Sequence, residues 1–391
     1  MRPATYIPLV LLALLPFLGM RQERAASSPE AAKPEPTAAR LREKGWWPTK
    51  GDAARKDYAG TEACVECHRQ KVLEQRETPM AHAASSASET ELLRTRPKIE
   101  QAEPPFQTEI VREGKGSSYT VARGGEAIRG QLLWSMGQGT MGQTFILESG
   151  GALFESQLSY FTSIAALDLT PGHTLAGPKD LQGAFGVQQS EEIAQKCFAC
   201  HTTVSSVRRQ FDPAHATPGV TCEACHGPGA RHVKAKRDGL PDSGQTAMFD
   251  PSSLDPVELV DYCGACHRAS LDVASEKNLL PIDIRFQPYR LSKSRCWSQP
   301  DPRVTCVACH DPHQPLVKDV SSYDAKCLAC HAPSQSASSR SAAPDKMQPA
   351  CKVSASRCVS CHMPQYKVPQ MHGSFTDHDI RIVRPEDPYP L

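Results

Sequence analysis

Hydrophobic and polar positions along the chain fall into distinct regimes. Ile7 to Met20 is an apolar run interrupted by Pro16, too short to cross a bilayer comfortably. Residues 27–50 are rich in Ala, Pro, Ser, Glu and Lys with almost no apolar periodicity, which predicts a mobile linker, so folding should begin near Trp46 or Trp47. Thr108–Val111, Ser118–Ala122, Thr144–Glu148 and Leu153–Phe161 read as strands. Gly124-Gly125, Gly137, Gly139 and Gly150-Gly151 divide them and give hairpin signals. They predict a small β-rich insertion covering one side of the molecule. Elsewhere helical periodicity is clear only at Glu66–Gln75 and Ser190–Phe198, between many prolines. The expected fold is mainly α with extensive loops.

Arg2 ahead of the apolar run, Arg21 and Arg24 behind it, and then Ala25, Ala26, Ser27 and Ser28 make the order of a secretory signal cleaved near Ala26. The expected division is a signal peptide at 1–26, a linker at 27–50, an N-terminal segment at 51–104, the β-rich insertion at 105–190, a larger domain at 191–383 and a tail at 384–391. No later segment is apolar enough to span a membrane, so the expected location is the periplasm or another extracytoplasmic space.

Composition makes the core a problem. Only 6% of the 391 residues are aromatic, and the chain holds 16 cysteines. Its mean hydropathy of −0.43 leaves too little apolar material for an ordinary core of this size, so a cofactor or an oxidising compartment must account for the thiols.

The cysteines are ordered. Cys-x-x-Cys-His occurs seven times, as Cys64, Cys67 and His68; Cys197, Cys200 and His201; Cys222, Cys225 and His226; Cys263, Cys266 and His267; Cys306, Cys309 and His310; Cys327, Cys330 and His331; and Cys358, Cys361 and His362. Chance would supply about 0.02 copies of a c-type haem attachment sequence in such a composition. The two thiols add to the haem vinyl groups and the histidine becomes the proximal iron ligand. Paired Cys-x-x-Cys units also hold structural zinc, but zinc does not require a histidine after every second cysteine. Seven covalent haems are therefore expected, with the larger domain wrapped around six of them. Two propionates on each add about 14 negative charges to a cleaved chain of 41 basic and 42 acidic residues, which argues against a nucleic-acid partner.

Seven histidines lie outside the motifs: His82, His173, His215, His232, His313, His372 and His378. The number permits a second histidine on every iron. His232 and His313 follow the third and fifth motifs closely and are the strongest distal candidates; His378 and His82 come next, and then His173, His215 and His372. Met80, Met363 and Met371 offer thioethers. Cys296 and Cys351 belong to no motif, and a disulfide between them is the simple reading.

From about Tyr58 to Val383 the chain resembles the cytochrome c-554 family. The resemblance rests on Tyr58-Ala-Gly-Thr-Glu-Ala-Cys64-Val-Glu-Cys67-His68, Gly219-Val-Thr-Cys222-Glu-Ala-Cys225-His226-Gly-Pro-Gly and Cys306-Val-Ala-Cys309-His310-Asp-Pro-His313. Two more stretches carry it, Cys358-Val-Ser-Cys361-His362-Met-Pro and Phe375-Thr-Asp-His378-Asp-Ile-Arg. It implies a mainly helical fold with stacked haem pairs and a periplasmic electron-transfer role. Seven motifs and the β-insertion depart from the four-haem type, so partners and haem order do not carry over. The leading expectation is a relay between redox proteins: a dehydrogenase or quinol-oxidising complex on one side, and another cytochrome or a reductase on the other. The alternative is an oxidoreductase acting on a small nitrogen or sulfur compound at one haem with an open axial position. The isolated first haem is the expected place for that position, with Arg76 or His82 as distal polar groups.

Overall fold

The computed structural model describes residues 37–40, 53–137, 139–275, 283–297, 303–331, 351, 353–384 and 387. The signal segment and most of the linker, with Trp46 and Trp47, lie outside the described residues.

The largest element is a ten-stranded antiparallel sheet. Its strands are β1 (Ala84–Ser86), β2 (Lys98–Glu103), β3 (Phe106–Glu113), β4 (Gly116–Arg123), β5 (Glu126–Met136), β6 (Gly142–Ser149), β7 (Ala152–Ser156), β8 (Leu158–Phe161), β9 (Ala166–Leu169) and β10 (Gly186–Gln189). They run in the order β10-β7-β6-β5-β4-β3-β2, with β1 on β5 and with β8 between β6 and β9. The chain is therefore an α+β protein, which corrects the mainly helical expectation. The sheet region also begins some twenty residues earlier than the expected insertion at 105.

Local sequence explains the hairpins. Arg123 pairs with Glu126, and Ser149 with Ala152, so each turn has two central residues. Gly124, Gly125, Gly150 and Gly151 all have positive φ, the backbone that a type I′ turn demands. On β3, Phe106, Thr108 and Ile110 face inward at alternate positions. Strand β5 escaped the sequence reading because Gly130 interrupts it. A Cβ there would lie 2.6 Å from the Phe185 ring and 2.9 Å from the Glu148 carbonyl oxygen, so glycine is what lets Phe185 lie across the strand.

Phe185 sits at the centre of the sheet's core, edge-on to Tyr119 and Phe154, with Ile110, Val121, Leu132, Phe145 and Leu147 around it. A second cluster of Ala84, Trp134, Met136, Ile146 and Phe198 joins the sheet to the helix Glu191–His201, with Phe211 packed edge-on to Phe198.

The rest is short helices and loops held largely by polar contacts. Arg290, fully buried on the helix Gln287–Ser292, donates to both Asp377 carboxylate oxygens at 2.9 Å, with Asp283 and Asp379 at 3.6 and 3.8 Å. From 303 to 384, Val368 is the one buried hydrophobic residue among the described residues.

Candidate haem-binding sites

The two cysteines of every motif lie on helix. The carriers are Thr61–Arg76, Glu191–His201, Cys222–His226, Pro256–His267, Cys306–Cys309, Asp324–His331 and Cys358–His362. One helical turn brings residues three apart onto one face, so both thiols of a motif address one side and the histidine follows beside them. Local capping starts two of these helices. Ser190 accepts from the Ile193 amide, and Asp255 with Glu258 forms a capping box ahead of Pro256.

Cysteine is usually among the most buried residue types, yet none of the 16 cysteines here is fully buried. Exposed Cys67, Cys266, Cys309 and Cys361 and half-buried partners leave apolar sulfur facing open space, which a porphyrin attached there would fill. His267 is likewise exposed, yet the protein around it pushes its imidazole below the usual histidine value.

The imidazoles are prepared for a metal. His201 donates from Nδ1 to the Ala83 carbonyl at 2.8 Å, His226 to Phe249 at 2.9 Å and His362 to Arg381 at 2.8 Å. A carbonyl can only accept, so Nδ1 carries the hydrogen and the lone pair falls on Nε2, the tautomer of a ligand oriented by its second bond. His378 does the same to the Thr376 carbonyl at 3.0 Å, and burial pushes its pKa down to about 4. The geometry and donor set fit covalent haem.

Two pairs of rings face one another. His226 and His313 have ring centres 6.0 Å apart at an interplanar angle of 12°, and His310 and His378 have centres 6.3 Å apart at 45°. Such separations exceed direct ring contact, whereas two imidazoles bonded at about 2.0 Å to one metal between them hold their centres about 6 Å apart. His313 is also oriented through Nδ1, 3.0 Å from Asp311.

The motifs themselves meet in pairs. The Cys64 thiol hydrogen-bonds to Cys222, Cys263 to Cys306, and Cys327 to Cys358, each time joining the first cysteines of two motifs. These contacts pull Cys222 down to about 7; burial, followed by the Cys358 charge, pushes Cys327 up to about 12. Site 2 lies beside site 4, with Cys200 Sγ 3.7 Å from the Ala265 carbonyl oxygen. Tyr262 donates to the Cys225 carbonyl between sites 3 and 4, and the Tyr323 ring, one residue ahead of the motif 6 helix, lies edge-on to His310 of site 5 with centres 5.6 Å apart.

Two carboxylates escaped the sequence reading. Glu223, buried between the cysteines of motif 3, accepts from the Ala59, Gly60 and Gly229 amides at 2.8, 2.9 and 2.7 Å, which clamps the start of the motif 1 helix. Asp324 accepts from the Arg357 and Cys358 amides at 2.7 and 2.8 Å, tying motif 6 to motif 7. An acidic residue inside a Cys-x-x-Cys unit was a visible signal for the first; nothing local marked the second.

The remaining spare histidines divide. His232 is half-buried, with Nδ1 held by Asp242 and the Thr246 carbonyl at 3.1 and 3.2 Å. His82 is exposed, and so is His215, whose Nδ1 lies 2.8 Å from Asp212. His372 Nε2 lies 2.6 Å from Asp168. His173 belongs to the sheet region, its Nδ1 2.9 Å from Gln157 and its Nε2 3.2 Å from Glu155. Arg76 is ion-paired with Glu62.

A family model described as cytochrome c554 and c-prime matches residues 175–227. The chain is 23% identical over 203 residues to the multihaem cytochrome MtrA of Shewanella baltica (strain OS185), covering 49% of this chain and 50% of that one. It thus spans about half the length of the curated relative it matches. Among solved structures, the outer cell wall cytochrome OcwA aligns with a TM-score of 0.46 and 14% identity over 84% of this chain and 80% of that chain; at that score the overlay carries no argument. The family and relative matches support a multihaem c-type cytochrome.

Proposed function

We propose that this chain is a periplasmic or otherwise extracytoplasmic relay that binds seven haems covalently and passes electrons between redox proteins. The observation that carries the reading is the pairing of the motifs. Their contacts run in the order 1-3-4-5-6-7, with site 2 beside site 4, so that haems attached at the paired sulfurs start side by side. When bound, haem supplies iron that changes oxidation state by one electron.

The chain's own residues bind and orient. The 14 motif cysteines anchor the porphyrins. His68, His201, His226, His267, His310, His331 and His362 would each hold one haem iron, and His313 and His378 are placed to serve as second ligands at sites 3 and 5. Carbonyls of Ala83, Phe249, Arg381 and Thr376 hold the rings in place and make the imidazoles better donors. Glu223 and Asp324 set the register of the paired helices. The partners of such a row are a dehydrogenase or quinol-oxidising complex at one end, and another cytochrome or a reductase at the other. Cleavage near Ala26 would release the chain after export.

The test is the intact mass of the exported protein with its pyridine haemochrome content, followed by rapid-mixing reduction with a low-potential donor. The expected outcome is seven haems per chain, all reduced. Fewer than seven, or bound zinc in place of haem, would overturn the reading.

A further inference from the structure

Among the described residues three hairpins close on two-residue turns with positive φ at both central positions, and one of them is built unlike the others. Gly124-Gly125 and Gly150-Gly151 take the left-handed backbone at no steric cost. The hairpin that pairs Ser206–Val207 with Gln210–Phe211 puts Arg208 and Arg209 there instead, at φ 50° and 64°. An L side chain in that region crowds the following carbonyl, so each arginine is held at a cost that glycine or asparagine would avoid. Backbone strain of this kind persists where the surroundings enforce it, and it clusters at functional positions.

The surroundings enforce it here. Phe211, at the base of the hairpin, packs edge-on to Phe198, which lies between the two thiols of motif 2. Gln195 Nε2 donates to Ser206 Oγ at 2.9 Å, the Asp212 amide to the Ser205 carbonyl at 2.9 Å, and the Arg208 amide to the Ala53 carbonyl at 3.4 Å. The hairpin is thus anchored on the helix that carries site 2. Arg208 and Arg209 are exposed at its tip, and so is Lys56, on the segment whose Ala53 carbonyl meets the tip. Residues 53–57 and 206–215 hold four Lys or Arg against two Asp. Both carboxylates are engaged within the patch: Asp212 meets Arg55 at 3.0 Å and His215 at 2.8 Å, and Asp57 accepts from the Ala54 amide at 2.8 Å. Seven haems add about 14 propionate charges, so this patch is an electropositive point on an acidic molecule.

Resting on the relay reading, we infer that the Arg208-Arg209 tip with Lys56 is a docking point for a redox protein of carboxylate-rich surface, and that it seats such a partner beside site 2. Each guanidinium offers a planar fork that pairs at two points with a carboxylate, which a compact ammonium group does not. An acidic protein fits this tip better than an anionic membrane does. Basic segments that hold a membrane surface bring roughly four to eight Lys or Arg, or an apolar face. This tip has two arginines, and the one aromatic ring of the hairpin packs inward on Phe198. Site 2 stands beside the row of the other six motifs, so a partner seated there leaves both ends of the row clear.

The test uses the holoprotein, reduced with dithionite and desalted, and two oxidised acceptors: plastocyanin, an acidic blue-copper protein, and a basic single-haem cytochrome c. One electron leaves a ferrous haem and reduces Cu(II) to Cu(I), read as loss of the blue band. Arg208→Asn with Arg209→Gly gives the turn its preferred residues, so the thermal midpoint should rise while the second-order rate with plastocyanin falls about tenfold at low ionic strength. High salt should abolish the difference, and the rate with the basic cytochrome should not fall. Lys56→Glu, outside the hairpin, should also lower the plastocyanin rate, and it decides the matter if the double variant folds poorly. Unchanged plastocyanin rates in both variants, or an equal fall with the basic acceptor, would overturn the inference. So would binding of the parent to phosphatidylglycerol vesicles that the double variant loses while keeping its plastocyanin rate. Haem content is counted beforehand by pyridine haemochrome; a count below seven defeats the relay reading, and the comparison of variants still judges the docking point.

Discussion

The sheet region and the C-terminal motif region are built on opposite principles. Between Ile99 and Phe185 the chain buries a continuous set of aromatic and branched side chains, with Tyr119, Phe145 and Phe185 fully enclosed. From 303 to 384 the described residues bury one hydrophobic side chain, Val368, while three motifs expose or half-expose their sulfur. The first region holds itself together by ordinary close packing. The second has helices of four to eight residues, too short to persist alone, and would take its apolar filling from the haems proposed at its cysteines.

The sharpest way to break this comparison is to withhold haem. The full chain made without haem attachment should keep the strand signal in circular dichroism and yield a protease-resistant fragment covering roughly residues 84–189, while the C-terminal motifs are digested. Equal resistance of 303–384 would refute the contrast.

Phe185→Ala should destabilise the sheet region by about 3–5 kcal/mol, the range for emptying a buried aromatic site, and leave the haem content of the C-terminal motifs unchanged. Denaturant unfolding followed by tryptophan fluorescence, set against the haem bands, separates the two.

Arg290→Met leaves Asp283 and Asp377 facing each other in a buried space without their shared cation, a cost of about 3 kcal/mol or more. Because Asp377 precedes His378, whose carbonyl accepts from Ser294 Oγ at 2.8 Å, the low-spin signal of site 5 should broaden while site 3 keeps its own. A uniform change across all haems would show that the network acts on the whole fold instead.

Glu223→Gln removes a carboxylate that three amides share and should cost on the order of 3 kcal/mol. It should also weaken the magnetic coupling between the haems of sites 1 and 3.

The smallest effect belongs to the second clamp. The Cys358 and Arg357 amides hold the half-buried Asp324 carboxyl below the usual carboxylate range. Its contribution is therefore complete above the ordinary aspartate value and is lost as pH falls through the depressed one. Asp324→Asn should flatten that acid dependence in the melting of the C-terminal pair and change little at neutral pH.

Several parts of this design were legible in the chain itself. The hairpins at Gly124-Gly125 and Gly150-Gly151 were visible because a type I′ turn is a two-residue signal. Helices at Thr61–Arg76 and Glu191–His201 were found within a few residues of their ends. Strand β5 was hidden by Gly130, whose reason is the ring of Phe185, distant in sequence. The mainly helical expectation failed because short motif helices were counted from their pattern, whereas β1, β2, β9 and β10 are bounded by partners rather than by local propensity. His173 was an open candidate in the sequence; only the sheet, by placing Glu155 and Gln157 on its two nitrogens, removed it.

The proposed attachment chemistry was legible in the sequence alone, because the two thiols and the histidine that would hold one haem lie within five consecutive residues and one helical turn brings the thiols together. Which motifs adjoin, which imidazoles face each other and which histidine is unavailable were decided by tertiary structure. Those relations join residues far apart in the chain, such as Cys64 with Cys222 and His310 with His378, and no local spacing encodes a contact that exists only after the chain has folded back on itself.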